Sequence, residues 1–273
     1  MDQNIIKKCL AASKEMRKDV IRMTYNAGNN GAHVGGALSM IEIMAALYLG
    51  VMKFNIQNPT DEARDRFILS KGHGVMAQYA ALKQIGMITD DELMTFKKNE
   101  TFLYAHPSMN PEKGIEFSSG SLGQGLSLGV GTALALKRKG NETSGVFVLL
   151  GDGECNEGSV WEAAMSASHY KLSNLTVIID ENRLQYDGPT DDILSIEPLV
   201  YKWNSFGWDA VSVDGHSVEQ LLEALSVKKD KPYAVIARTV KGKGVSFMEN
   251  NPYWHNGRLS QQQYEQAMAE VTA

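Results

Sequence analysis

The spacing of apolar and polar residues predicts a long amphipathic helix near the start of the chain. Between residues 4 and 27, apolar residues recur among charged ones with the period of a helix. Gly28 is predicted to end this helix, and a loop with the sequence NNGAHVGGA follows. A second apolar helix is predicted from Leu38 to Leu49. The apolar positions of the first helix are Ile5, Ile6, Leu10, Met16, Val20, Ile21 and Met23.

Five short apolar runs, each bounded by polar or turn residues, predict β-strands. The segments between them, about 20 to 75 residues long, leave room for helices. Nearly continuous apolar strands that alternate with helices are typical of a largely parallel sheet with helices on both faces. No repeat or linker divides residues 1–273, so we predict one α/β domain, in which the long loops Glu100–Ser121 and Asp187–Glu197 are expected to be functional. The predicted strands are Phe67–Leu69, Val146–Leu150, Leu175–Ile179, Ala210–Val213 and Ala234–Ala237.

Composition and charge exclude several classes of protein. Apolar residues make up 43% and charged residues 22% of the 273 residues, so an unfolded or fibrous chain is not expected. The net charge of -5 argues against a nucleic-acid partner. Cys9 and Cys155 are the two cysteines, which excludes a disulfide framework or a four-thiolate zinc site within this chain. The charged, amphipathic beginning of the sequence does not fit a secretory signal.

An uncharged stretch of 20 residues, from Phe117 to Leu136, has the length of a membrane span. It also contains five glycines and four serines, so it is not predominantly apolar. We predict a glycine-rich helix at a packed interface, with no membrane partner and a cytoplasmic location. The segment Gly125–Gly129 matches the G-x-S-x-G pattern of hydrolases, but a loop rather than a strand precedes its serine, which argues against a hydrolase.

Polar residues follow two of the predicted strands, at the edge of a parallel sheet where ligands bind. The strand that ends at Leu150 is followed by Gly151, Asp152, Gly153 and Glu154. The next strand is followed by Asp180–Arg183, which includes Asn182. One carboxylate with neutral oxygens suits Mg²⁺ that bridges to a phosphate. A carboxylate in a glycine-rich turn with an unrelated asparagine is the alternative, since so short a motif has false positives.

Several motifs together resemble a transketolase. A G-D-G sequence followed after 28 residues by Asn182 matches the signature of thiamine-diphosphate enzymes. In their order along residues 10 to 260, the motifs are similar to the N-terminal half of a transketolase. The matching motifs are SKGHG at Ser70–Gly74, GSLGQG at Gly120–Gly125, GDGECNEG at Gly151–Gly158, KGKG at 241–244, and Trp254–His255.

The resemblance implies the cofactors and the residues that bind them. The metal, Mg²⁺ with Ca²⁺ or Mn²⁺ as substitutes, would be bound by the side chains of Asp152 and Asn182 and by the carbonyl of Leu184. Gly153 would contact the diphosphate, and Gly120 and Leu122 the aminopyrimidine. The residues implied to bind thiamine diphosphate are Lys71, His73, Gly120, Leu122, Gly151, Asp152, Gly153, Glu154, Asn182 and Lys241.

The catalytic residues implied by the resemblance are four histidines and a glutamate. Histidine suits proton transfer because its ordinary pKa is near 6.5. Glu157 would face its counterparts across a subunit interface. His169 and His216 lie outside the motifs, and we interpret them as structural. The implied catalytic residues are His33, His73, His106, His255 and Glu157.

Transketolases are more than twice as long as this chain, so the resemblance implies a partner. The pyrimidine-binding and C-terminal domains are absent and are expected on a second chain, in an α₂β₂ assembly with self-association of this chain. The implied reaction transfers two-carbon ketol units from a ketose phosphate to an aldose phosphate, as in pentose phosphate metabolism. The alternatives are half of a deoxyxylulose-phosphate synthase, part of a 2-oxoacid dehydrogenase, and a catalytically silent binding or regulatory relative.

Overall fold

Five parallel strands form the sheet of this computed structural model, which describes residues 2–141, 143–227 and 229–272. Their order across the sheet is β1-β2-β3-β5-β4, and every neighbouring pair is parallel. All five predicted strands are confirmed, each longer by one or two residues. The strands are β1 (Arg66–Leu69), β2 (Val146–Gly151), β3 (Leu175–Glu181), β4 (Asp209–Asp214) and β5 (Tyr233–Arg238).

Helices in the described residues pack on both sides of the sheet, as predicted. The first predicted helix is confirmed as α1, and Gly28 begins the next turn with a φ of 56°. The helices are α1 (Gln3–Asn26), α2 (Val34–Leu38), α3 (Ile41–Ala46), α4 (Val75–Gln84), α5 (Asp90–Leu93), α6 (Gln124–Arg138), α7 (Gly158–His169), α8 (Thr190–Leu194), α9 (Leu199–Ser205), α10 (Val218–Leu225) and α11 (Gln261–Thr272).

The prediction of one continuous helix from Leu38 to Leu49 was wrong. The chain forms α2, α3 and a wide π-type turn at Leu47–Val51 instead. The break falls at Ser39, whose hydroxyl lies 2.6 Å from Oδ2 of Asp180 at the end of β3. This contact draws the end of α2 towards the sheet, and a pattern of local apolar spacing contains no sign of it.

The strands alternate their side chains between two apolar layers. In β2, Phe147 and Leu149 pack into a layer that includes α1, α3, α4 and α10. Val148 and Leu150 face the opposite layer with α6, α7 and α9. Because both faces of the strands are covered, their apolar sequence is continuous rather than alternating. The sheet is therefore fixed from both sides, and its carboxyl edge is a rigid base for the loops that follow.

Helix α6 accounts for most of the uncharged stretch. One side packs on the sheet through Leu126 and Val130, while Gly131 on the other side is exposed. None of the helices in the described parts of the chain is long and apolar enough to cross a membrane. The glycine-rich side of this helix is exposed on the isolated chain, which leaves its predicted role at an interface open.

Two glycines of α6 provide a test of how closely this helix must approach the sheet. A Cβ at Gly129 would overlap the Val148 side chain, whereas one at Gly131 meets no atom within 4 Å. Gly129→Ala is expected to lower the free energy of unfolding by about 1–3 kcal/mol. Gly131→Ala is expected to raise it by up to about 1 kcal/mol, because alanine favours a helix. Urea unfolding of both variants measures the difference; equal effects would contradict the close packing at Gly129.

Candidate functional site

A cleft with a volume of about 420 Å³ lies at the carboxyl edge of the sheet. The ends of β1, β2 and β3 open into it, where ligands of such sheets bind. Every site residue implied by the sequence motifs lies in its lining. These residues are His33, Lys71, His73, His106, Gly120, Leu122, Gly151, Asp152, Gly153, Glu154, Glu157, Asn182, Leu184, Lys241 and His255.

Asp152 and the segment after β3 form one corner of the cleft. The Asp152 carboxylate accepts a hydrogen bond from the backbone N–H of Gly153 at 2.8 Å and one from that of Arg183 at 2.5 Å. The amide oxygen of Asn182 accepts one from the backbone N–H of Leu184 at 3.1 Å. These bonds hold the carboxylate and the amide oxygen beside the same short segment.

This corner fits a divalent cation. Its donors are a carboxylate, an amide oxygen and the Leu184 carbonyl, which already faces a cation because it accepts from Lys241 Nζ at 2.7 Å. Burial, followed by the nearby charge of Asp180, raises the pKa of Asp152 to about 6. A bound cation would offset the cost of that buried charge. Among the described residues, no group of three or more His, Cys, Asp or Glu side chains could form a metal cage, so phosphate and water would supply the other ligands.

Asp180 and Lys71 form a buried ion pair beneath the cleft. Burial opposes the charge of Asp180, yet the Lys71 ammonium, Ser39 and Thr239 outweigh it and lower the pKa of that carboxyl. Lys71 Nζ also donates to the carbonyl of Gly36 at 2.8 Å. The sequence motifs gave Asp180 no role. The clue to it was Lys71 itself, since a lysine at the buried end of a strand needs a carboxylate partner.

Glu154 ties three loops of the cleft together. Its carboxylate accepts hydrogen bonds from the backbone N–H groups of Gly123 at 2.8 Å and Gly151 at 3.0 Å, and from the Ser70 hydroxyl. The loop between Gly120 and Gly125 is thereby fixed to the ends of β1 and β2. That Glu154 also contacts a cofactor stays a prediction.

The turn Gly153–Asn156 lies between the metal corner and an aromatic group on the outer side of the sheet. The indole N–H of Trp161 donates to the carbonyl of Cys155 in this turn at 2.8 Å. The Trp161 ring lies 5.3 Å from Trp203 and 5.0 Å from Phe206, measured between centroids. The turn is therefore coupled directly to these rings.

Glu157 lies at the exposed rim of the cleft, directly before α7. Gly123 packs against it so closely that a Cβ on the glycine would lie 2.7 Å from Glu157 Cβ. Gly123 has a φ of 82°, a conformation that favours glycine. The exposed carboxylate of Glu157 is free to face another chain, as the resemblance implies.

Four histidines from separate loops meet above this corner. The His33 ring lies 5.7 Å from His73, 5.5 Å from His106 and 5.4 Å from His255, measured between centroids. His73 and His255 are 5.2 Å apart. The sequence separates these residues by up to 222 positions, and the carboxyl edge of the sheet brings them together.

Burial keeps these histidines neutral at physiological pH. It is the largest cause that lowers the pKa of His33 to about 4, with further contributions from His106, Lys97 and Lys241. Burial, with Lys241 next, lowers the pKa of His255 to about 3. The pKa values of His73 and His106 are also lowered, mainly by burial. Each ring therefore has a nitrogen that can accept a proton at pH 7.

Lys241 joins the histidines to the metal corner. Its Nζ lies 3.0 Å from Nδ1 of His255 and 2.7 Å from the carbonyl oxygen of Leu184. Burial, followed by the charge of Lys71, lowers the pKa of Lys241 to about 8. Because the ammonium donates to Nδ1, the neutral His255 ring bears its hydrogen on Nε2. That N–H is then a donor.

The sequence motifs missed several residues of the cleft that lie after Leu184. Gln185 packs so near Gly153 that a Cβ on the glycine would lie 2.8 Å from Gln185 Cγ. Tyr186 stands edge-on to His255, with centroids 5.2 Å apart. The long loop was predicted to begin at Asp187, two positions after these side chains begin to line the cleft. The other missed lining residues are Gly36, Asn156 and Asp187.

Comparison with known proteins gives the family. The family described as "Transketolase, thiamine diphosphate binding domain" matches residues 10–271. One of the two subunits named for apulose-4-phosphate transketolase, from Phocaeicola vulgatus, is 40% identical over 263 residues, which is 95% of this chain and 92% of the relative. The 6-deoxy-6-sulfo-D-fructose transketolase subunit SqwG of a Clostridium species is 42% identical over 242 residues, 88% of each chain.

A solved structure agrees with these matches. Transketolase from Leishmania mexicana superimposes with a TM-score of 0.88 at 29% identity, and the match covers 97% of this chain and 41% of that one. The parallel sheet with its cleft is a thiamine-diphosphate-binding domain. The chain belongs to the transketolase family. The predictions of an α/β fold and of the N-terminal, thiamine-diphosphate-binding subunit of a transketolase, a transferase, are thereby confirmed.

Proposed function

We propose that this chain is the diphosphate-binding half of a two-chain transketolase, and that a second chain contributes the pyrimidine-binding and C-terminal domains. The observation that carries this proposal is the length of the matches. Relatives named as subunits match over 88–92% of their own length, whereas the Leishmania mexicana transketolase matches over 41%. One cleft with half of the expected domains needs a partner to enclose the cofactor.

The proposed assembly is α₂β₂, in which copies of this chain also contact one another. The exposed, uncharged side of α6 supports this arrangement, since Gly131 and Ala135 let another backbone approach closely. Soluble oligomers are usually closed and symmetric, which favours two copies of each chain. Glu157, exposed at the rim beside Gly123, is proposed to face its counterpart across this interface.

The metal corner is proposed to hold Mg²⁺ through Asp152, Asn182 and the Leu184 carbonyl, with Ca²⁺ or Mn²⁺ as substitutes. The backbone of Gly153 is proposed to contact the diphosphate, and Lys241 to offset its charge. Thiamine diphosphate supplies a carbanion nucleophile when it is bound, and the protein orients it. Gly120 and Leu122, at the opposite rim of the cleft, are proposed to contact the aminopyrimidine.

The histidines are proposed to move the protons that ketol transfer requires. A neutral His33 can accept a proton from a sugar hydroxyl, because burial keeps its pKa at about 4. His255 can donate a hydrogen bond from Nε2 to a sugar oxygen, because its Nδ1 faces Lys241. His73 and His106 complete the wall of this channel. A silent binding protein has no need of these groups, which favours an enzyme.

The proposed substrates are a ketose phosphate donor and an aldose phosphate acceptor. One relative is named for a sugar phosphate, apulose 4-phosphate, and the other for a sulfonated sugar. Both are small, anionic ketoses, and the four histidines with Lys241 give this cleft the donors that such molecules require. The proposed setting is the sugar-phosphate metabolism of the cytoplasm, such as pentose phosphate metabolism.

Reconstitution tests the proposal. The chain is purified with its natural companion, the companion is identified, and each is then prepared alone. Ketol transfer is expected when both chains, Mg²⁺ and thiamine diphosphate are present, and to fall to background when either chain is omitted. Analytical ultracentrifugation of the mixture is expected to give two copies of each. Robust transfer by this chain alone would overturn the two-chain proposal.

A further inference from the structure

Three charged or polar side chains form a linked group behind the cleft. Glu42 of α3, only 6% exposed, pairs with Arg17 of α1 at 2.7 Å. Its other oxygen lies 2.9 Å from Nδ1 of His216, in the turn between β4 and α10. We refer to Arg17, Glu42 and His216 as the clamp. None of the three lines the cleft.

The clamp grips the segment that carries Lys241 from both sides. The backbone N–H of Val240 donates to Nε2 of His216 at 2.9 Å. On the other side, Nε of Arg17 donates to the carbonyl of Lys243 at 3.0 Å. Lys241 lies between these two anchors. A segment held at both ends can present its side chain in one position only.

The hydrogen bonds also fix the tautomer of His216. Because Nε2 accepts from Val240, the neutral ring bears its hydrogen on Nδ1, where it donates to Glu42. The carboxylate of Glu42 favours this tautomer, and Arg17 balances its charge. A buried carboxylate and an arginine thus serve to keep one nitrogen of His216 available as an acceptor.

Lys241 depends on this support more than an ordinary surface lysine would. Its side chain is buried, and its Nζ must reach the Leu184 carbonyl at 2.7 Å and His255 Nδ1 at 3.0 Å together. The lysine side chain is flexible, so the position of its backbone decides whether the ammonium reaches both. A small shift at Val240 therefore moves the charge at the metal corner.

We propose that His216 is a positioning residue for Lys241, and that through it His216 sets the affinity of the enzyme for the diphosphate of its cofactor. This inference rests on the proposed function, in which Lys241 lies on the diphosphate side of the cleft. His216 acts by accepting the Val240 N–H, and its contact with Glu42 serves to orient the ring.

Two substitutions of His216 separate the acceptor from the contact with Glu42. In His216→Gln, the side-chain oxygen can take the place of Nε2 and accept from Val240. In His216→Asn, the shorter amide can still donate to Glu42 but no longer reaches Val240. Calorimetric titration of the two-chain complex with thiamine diphosphate and Mg²⁺ is expected to give at least about tenfold weaker binding for Asn and less than about threefold for Gln. The reverse order would show that only the contact with Glu42 matters and would overturn the proposal.

A double-mutant cycle tests whether His216 acts through Lys241. Lys241→Met is expected to weaken binding, and His216→Asn added to it is expected to cause no further loss. Fully additive losses would overturn the proposal. Should His216→Asn fail to fold, Arg17→Lys decides, because it keeps the charge beside Glu42 but loses the bond to Lys243; unchanged affinity would overturn the clamp. Failure of the unmodified complex to bind the cofactor would instead overturn the proposed function.

Discussion

Asp152→Ala is expected to abolish metal-dependent binding of thiamine diphosphate, with an affinity loss of more than about 100-fold. Asp152 provides the one carboxylate among the three proposed metal ligands, and the Asn182 and Leu184 oxygens carry no formal charge to replace it. The fold is expected to persist, because the substitution removes a buried carboxylate whose ionisation burial already disfavours. Calorimetric titration of the two-chain complex with cofactor, with and without Mg²⁺, measures the loss.

Asp209→Ala is the matched control for this experiment. Asp209 begins β4 at the opposite, amino edge of the sheet and is exposed, so its loss changes the net charge equally without touching the cleft. Its cofactor affinity is expected to equal that of the unmodified protein. If Asp152→Ala also binds with unchanged affinity, the proposed metal site is wrong.

His33→Ala and His255→Ala are each expected to lower turnover by about 10²–10⁴, the usual contribution of a positioned acid or base. Burial keeps both rings neutral, so each can exchange a proton with a sugar hydroxyl at pH 7. Cofactor affinity is expected to change much less, since neither residue belongs to the metal corner. Steady-state ketol transfer by the two-chain complex gives turnover, and calorimetry gives the affinity.

His169→Ala provides the comparison for the histidine variants. His169 ends α7 and is exposed, away from the cleft. Its removal is expected to leave turnover within about twofold, as for most surface substitutions. Near-normal turnover in both His33→Ala and His255→Ala would mean that these histidines are structural and that the proton transfers lie with other groups.

The sheet could be predicted from the sequence because its strands are buried on both faces. A strand such as Val146–Gly151 has no polar side chain to interrupt its apolar run. The division of the second helix into α2 and α3 could not be predicted, because it follows from a contact between Ser39 and Asp180, 141 positions apart. Local periodicity contains no such information.

The same distinction applies to the site. Asp152, Asn182 and the four histidines lie in short motifs after strands or helices, and all of them line the cleft. Asp180 and His216 belong to no motif that we assigned to chemistry. Their contacts depend on partners from distant elements, Lys71 and Glu42, which only the folded chain brings within reach.

The contact of Trp161 with the turn Gly153–Asn156 gives the enzyme an optical label of its own. The indole is bonded to the turn that adjoins the metal corner, and it lies against Trp203 and Phe206. Indole emission depends on the polarity and quenching groups around the ring, so any movement of the turn reaches the emission directly. Cofactor loading in a stopped-flow instrument can therefore be followed in the unlabelled protein, without a coupled assay or an attached dye.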